Sequence, residues 1–293
     1  MERLRIGSEE HKALFCRTFI DTHDPFRPAE LVWPDLDAES LGRLKSLPVW
    51  NEAARTEAAT AVKVLALGRI ERDPLLAEAI LLQGYEESRH SEVIGLLTRR
   101  YAIPVAAHPE PAEPKDPTWA FLRTGYGECL DSFFAFGLFA LGVKAEFVAA
   151  PILKIFETIM QEEARHILFI VNWAAYLRAR NPLPLRPAFD LRRAWNVAAQ
   201  AFDRVRGAMK MSGKNGAAAG DASQDGFTLK SHTAFSDLSL RQFLEQCLSE
   251  NERRFARYDG RLLRPRLVPG AVRTFLKVLP RGRSADASGT AAA

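Results

Sequence analysis

Two copies of one charged motif interrupt apolar helical segments, and nothing else in the chain limits its folding so tightly. Residues 84–91 read GYEESRHS and residues 160–168 read MQEEARHIL. Each copy contains Glu-Glu-x-Arg-His, with the second Glu and the His three residues apart. On an α-helix such residues project from nearly the same face, one turn displaced, so Glu87 with His90, and Glu163 with His166, each present a carboxylate beside an imidazole. Their same-face neighbours are Ile80, Gly84, Ser91 and Ile94 for the first pair and Phe156, Ile159, Met160, Ile167 and Ile170 for the second. Both pairs therefore face a core.

The surrounding chain reads as almost wholly helical, with helix-period segments over 8–22, 38–46, 49–72, 74–101, 118–149, 152–180, 187–211 and 238–258. Asp73-Pro74 and Asp116-Pro117 each supply an N-cap followed by a proline in the first turn. The prolines of AAHPEPAEPKDP mark the loop between them. Four long, adjacent segments with mostly short connections predict an all-α fold: an antiparallel four-helix bundle over residues 49–180, with extra N- and C-terminal helices. Residues 1–48 are expected to form a helical extension packing on the bundle. Residues 181–280 should add C-terminal helices with a flexible glycine-rich loop near 212–226, and 281–293 a disordered tail.

The other two bundle segments each carry one glutamate on an apolar or small-residue stripe. Glu57 lies with Ala53, Ala54, Ala61, Val64 and Gly68, and Glu128 with Phe121, Gly125, Ala135 and Phe136. Four ionised carboxylates in an apolar core would each cost several kcal/mol if left unpaired. Salt bridges would require core lysines or arginines that these stripes do not show, and a single zinc ion would leave carboxylates over. Two divalent cations balance four carboxylates, and two neutral imidazoles complete the set. Mixed oxygen and imidazole donors suit iron or manganese better than thiolate-seeking metals.

The order Glu57, then Glu86-Glu87-x-Arg89-His90, then Glu128, then Glu162-Glu163-x-Arg165-His166 resembles the duplicated motif of ferritin-like di-iron carboxylate oxidases and oxygenases. The resemblance covers roughly residues 49–180. It implies that Glu57, Glu87, His90, Glu128, Glu163 and His166 ligate two Fe ions, or a Mn/Fe pair, with O2 as co-substrate. Glu86 and Glu162 stand where the family usually has an acidic residue, commonly Asp, bonded to the histidine of the opposite motif. Arg89 and Arg165 match the arginine that would pair with those carboxylates. The implied activity is hydroxylation, desaturation or N-oxidation of a small, largely apolar organic substrate, with electrons from a separate ferredoxin or reductase. Two rival readings share the scaffold: a ferritin-like iron-binding ferroxidase and a di-iron RNA hydroxylase.

Several residues carry weaker signals. Asp131, one turn after Glu128, is either a further ligand or a local hydrogen-bonding group. Tyr85 and Tyr126 each precede a proposed ligand by two residues and are either radical-forming or proton-donating groups or ordinary core tyrosines. The run Phe133, Phe134, Phe136 and Phe139 is either core packing or the wall of a substrate channel, with space left by Gly125, Gly127 and Gly137. His11, His23, His108 and His232 fall outside the bundle segments and are not expected to be ligands.

A composition with 47% hydrophobic residues and a net charge of +4 belongs to a soluble globular protein. The basic excess after Arg253 suits an acidic partner such as an acyl or peptidyl carrier protein, or contact with a membrane surface. A nucleic-acid partner is disfavoured, and a homodimer is compatible with this reading. Three widely spaced cysteines without a C-x-x-C pair, no signal-peptide pattern, and a longest apolar run (133–143) too short to span a bilayer place the expected location in the cytoplasm.

Overall fold

The computed structural model describes residues 4–212 and 239–279, which hold nine α-helices and no strand. Residues 213–226 of the expected loop, His232 and the 281–293 tail lie outside the described residues. The helices are α1 (Glu9–Asp21), α2 (Ala38–Ser46), α3 (Trp50–Ile70), α4 (Pro74–Arg100), α5 (Pro117–Lys144), α6 (Ala150–Arg180), α7 (Arg186–Ser212), α8 (Leu240–Ala256) and α9 (Leu267–Val278).

Local chemistry sets the starts of the central helices. The Asp73 carboxylate accepts from the backbone amides of Leu75 (3.0 Å) and Leu76 (3.2 Å), and Pro74 occupies the position whose N–H has no intrahelical partner anyway. Asp116 does the same for α5 by accepting from Trp119 N at 3.1 Å. The segment expected at 118–149 instead breaks at Lys144, where the turn carries Glu146 at φ 48°.

Small residues set the helix directions. A Cβ on Gly68 would meet the Leu81 side chain and one on Gly84 the Leu65 side chain, so α3 and α4 run antiparallel. Phe121 meets the Trp173 ring edge-on at 5.0 Å and Gly125 abuts Ile170, so α5 and α6 are antiparallel as well. On α4 and α6 the order also reverses, with Glu86 beside His166 and His90 beside Glu162. Thus α3 and α6 point one way and α4 and α5 the other. Helix α1 lies against α4 and α6 and buries Phe15 and Phe19 against Phe169.

The segment after Arg266 forms α9, which buries Val272 with Phe243, Leu244 and Cys247. Pro269 sits in its first turn, where it removes no helical hydrogen bond. Helix α5 is long and apolar enough, by length and composition, to cross a membrane. Counting only its uninterrupted apolar run hid this. In this fold α5 packs against α3, α6, α7, α8 and α9.

The α5–α8 contact depends on the missing side chain of Gly137. A Cβ there would collide with Sγ of Cys247 and lie 3.0 Å from its Cα, which is backbone and cannot swing away. Gly137→Ala is therefore expected to destabilise by about 1–2 kcal/mol, overpacking outweighing the gain in helix propensity, as read by urea unfolding. An unchanged or raised midpoint would contradict this packing.

Candidate metal centre

The Glu-Glu-x-Arg-His copies on α4 and α6 exchange partners because the two helices run in opposite directions. Glu86 of the first copy accepts from Arg165 and lies 2.8 Å from Nε2 of His166 in the second. Glu162 returns the arrangement, accepting from Arg89 and lying 2.8 Å from Nε2 of His90. Arg89 also donates to the carbonyls of Asp24 (2.8 Å) and Phe26 (3.1 Å), and its guanidinium lies 3.9 Å above the Phe26 ring. Two carboxylates and two guanidiniums balance in charge, which makes their near-complete burial tenable. Burial by itself would raise Glu86, but hydrogen bonds from His166 and His23 and the nearby Arg165 charge hold its carboxyl far below the usual range.

This outer exchange decides how each imidazole faces the centre. With Nε2–H donated to a carboxylate, the neutral ring keeps its lone pair on Nδ1. Nδ1 of His90 lies 3.1 Å from Glu163 Oε1 and 3.6 Å from Glu57 Oε2. Nδ1 of His166 lies 3.0 Å from Glu87 Oε1 and 3.7 Å from Glu163 Oε1. One candidate ligand atom from each of Glu57, Glu87, His90 and Glu163 falls within 4.8 Å of all the others. His166 joins this group through Glu87 and Glu163. Both oxygens of Glu128 are buried without a hydrogen-bond partner, as is Nδ1 of each histidine.

Electrostatics say what such a cluster lacks. Burial, opposed by the adjacent His90 imidazole, pushes Glu57 up to about 7. Burial and then the charges of Glu87 and Glu163 drive Glu128 well above the carboxylate range. Burial favours neutral imidazoles, yet the carboxylates around them hold His90 and His166 well above their ordinary value. Retained protons thus supply the positive charge that four inner carboxylates demand. Unpartnered oxygen and nitrogen donors held together in a buried, electronegative pocket fit a bound metal ion.

A cavity of about 840 Å³ adjoins the cluster, with Glu57, Glu128 and Glu163 in its wall. Of the four phenylalanines considered for a channel, only Phe139 lines it. Phe133 and Phe136 are buried in packing clusters, and Phe134 stacks on Phe243. Asp131 also lines the cavity. Tyr85 is turned out to solvent, 51% exposed, which removes it from the cluster. Tyr126 lies outside the cavity wall, with a buried, unpartnered hydroxyl that burial pushes up to about 12.

Two residues were missed by reading the sequence. His23, which precedes α2, contacts Glu86 through Nδ1 and so belongs to the outer exchange. Its segment has no helical period, so no spacing signalled it. Lys63 of α3 lines the cavity, although the sequence showed no lysine on the glutamate stripes; it neighbours Val64, one position off the Glu57 stripe. His11 and His108 are engaged elsewhere, with Asn172 and Asn51, each at 3.1 Å. Comparison of the chain with protein-family models, curated proteins and solved structures returns no match.

The proton holding has a measurable sign. In the metal-free chain Glu57, Glu128, His90 and His166 all bind protons more tightly folded than unfolded, so folding takes up protons and stability falls as pH rises. The Glu57 contribution is lost as pH rises through about 7, and the imidazoles, also held above their ordinary value, add to the decline. His11, held below its ordinary value by burial, acts only below 6.5. Urea unfolding without metal is expected to give lower stability at about pH 8.5 than at about pH 6.5, and saturating divalent metal to reverse that slope by displacing the protons. A flat profile in metal-free protein would contradict the cluster's electrostatics.

Proposed function

We propose that this chain is an O2-activating non-haem di-iron oxidoreductase of ferritin-like architecture, acting on a small organic substrate. One observation carries the reading. Each motif histidine gives Nε2 to the carboxylate of the opposite motif and turns Nδ1, with carboxylates of α3, α4 and α6, toward one buried centre beside a cavity whose wall carries Glu128 of α5. Glu57, Glu87, His90, Glu128, Glu163 and His166 would hold two iron ions. Such a pair supplies reduction of O2 coupled to oxidation of a C–H or N–H bond, with electrons from a separate protein donor.

The chain's own groups then have defined work. Glu86 and Glu162, held by Arg165 and Arg89, keep the imidazoles in the tautomer that leaves Nδ1 unprotonated. Glu57, Glu128 and Glu163 place carboxylates in the cavity wall, where a substrate can approach the centre. Apolar walls from Trp50, Phe139, Ile152 and Phe156 exclude water from that approach. A cavity of this size favours an organic substrate over the ferroxidase reading, which has no use for one.

Anaerobic titration with ferrous iron is expected to saturate near about two ions per chain, and Glu128→Ala or His166→Ala to remove at least one. Saturation at a single ion in the parent chain would overturn the di-iron assignment. Glu86→Gln is expected to weaken metal binding by roughly 10–100-fold, because the amide holds His166 less firmly. Oxygen consumption with a chemical reductant should continue after the bound iron is oxidised; growth of a mineral core instead would establish the ferroxidase.

A further inference from the structure

Cations and aromatic side chains stand at opposite ends of the cavity beside the cluster, whose wall also holds Glu52 and Arg55 of α3, paired with each other at 2.6 Å on the aromatic side of Glu57, and the helix directions show which residues share an end. Helix α3 runs opposite to α5. Lys63 lies six residues beyond Glu57 on α3, and Arg123 five residues before Glu128 on α5. At a rise of about 1.5 Å per residue, both stand roughly 8–9 Å from the glutamate layer on the same side. Arg192 of α7 marks the same end, its guanidinium 3.8 Å above the Trp119 ring. Trp50, seven residues before Glu57, Phe139, eleven after Glu128, and Phe156, seven before Glu163, all lie on the other side. All six line the one cavity.

The cations at the polar end are not alike. Arg192 is engaged with Trp119 and with Asp116 at 3.7 Å. Lys63 is half-buried and Arg123 exposed, and neither has a side-chain hydrogen bond or ion pair among the described residues. Burial, opposed only in part by the Glu128 charge, pulls Lys63 below its ordinary value, and both Glu128 oxygens lack a partner, so no bond joins the two. Two divalent ions would balance the four inner carboxylates and leave the half-buried Lys63 without a counter-charge, while the exposed Arg123 is met by solvent. A neutral substrate filling the cavity would further desolvate Lys63 with nothing to pair it.

We propose that the cavity takes an amphipathic small molecule whose carboxylate head pairs with Lys63 and Arg123 while its apolar body lies past the glutamate layer toward Trp50, Phe139 and Phe156. This rests on the reading of the cluster as the reaction centre and names the substrate class that the reading left open. The volume of about 840 Å³ accommodates such a molecule, since pockets of about 300–1,000 Å³ hold ligands of drug size. The head fixes which part of the body faces Glu57, Glu128 and Glu163, so Lys63 is a specificity-determining residue.

Calorimetric titration of the full chain with octanoate and with 1-octanol under argon, metal-free and after incubation with ferrous iron, tests this. Octanoate is expected to bind at least about tenfold tighter than 1-octanol in both states, the size of a charge-assisted hydrogen bond. Lys63→Met should abolish that preference while leaving 1-octanol binding within about twofold, which also reports an intact cavity, and Lys63→Arg should retain it. Equal affinity for the two probes in the parent chain would overturn the assignment. So would a preference that survives in Lys63→Met, because the carboxylate would then be held elsewhere, on iron if the surviving preference appears only in the iron-loaded chain. Selectivity in a chain that takes up no ferrous iron would sink the di-iron reading alone, and iron uptake without selectivity would sink this one alone.

Discussion

The structure depends on the exchange of partners between the two motif copies on α4 and α6. A buried carboxylate without a counter-charge is prohibitive, and so is a buried guanidinium. Glu86 with Arg165 and Glu162 with Arg89 solve both problems at once, but only when the two helices run antiparallel and in one register. A slip of one helical turn would separate every pair. The segment around His23, Asp24 and Phe26 closes the outer side, with the two carbonyls satisfying Arg89 and His23 meeting Glu86.

The inner cluster inherits its properties from that exchange. Once each Nε2 is committed outward, Nδ1 has nowhere to point except toward the carboxylates of Glu57, Glu87 and Glu163. The outer groups are charge-balanced and the inner ones are not, so unsatisfied negative potential collects on the cavity side. There Lys63 and Arg123 stand on one side of the glutamates, and Trp50, Phe139 and Phe156, with the paired Glu52 and Arg55, on the other. Outer balance and inner imbalance together give a centre that is rigid behind and reachable in front.

Much of this was legible residue by residue, and the losses have physical causes. Asp-Pro caps act within one turn, so the starts of α4 and α5 could be read directly. Glu-x-x-His on an apolar helix face announces burial because helical spacing alone puts both groups together. Tyr85 misled because proximity in sequence is not proximity on a helix: two residues before Glu87 is the far side, and there it faces solvent. Phe133, Phe134 and Phe136 could not be told from Phe139 because packing by other helices decides which of them is covered. Lys63 and His23 escaped notice for the same reason, since their significance comes from other helices.

By itself, then, the sequence determined most of the helices, the Asp-Pro caps of α4 and α5, and the six acidic and imidazole groups destined for the interior, because each follows from local spacing and the cost of burying charge. The tertiary structure alone decided which nitrogen of each imidazole faces inward, where the cavity opens, and which cations remain unpaired at its end. Those properties are relations between side chains from different helices, far apart along the chain, and no local periodicity encodes them.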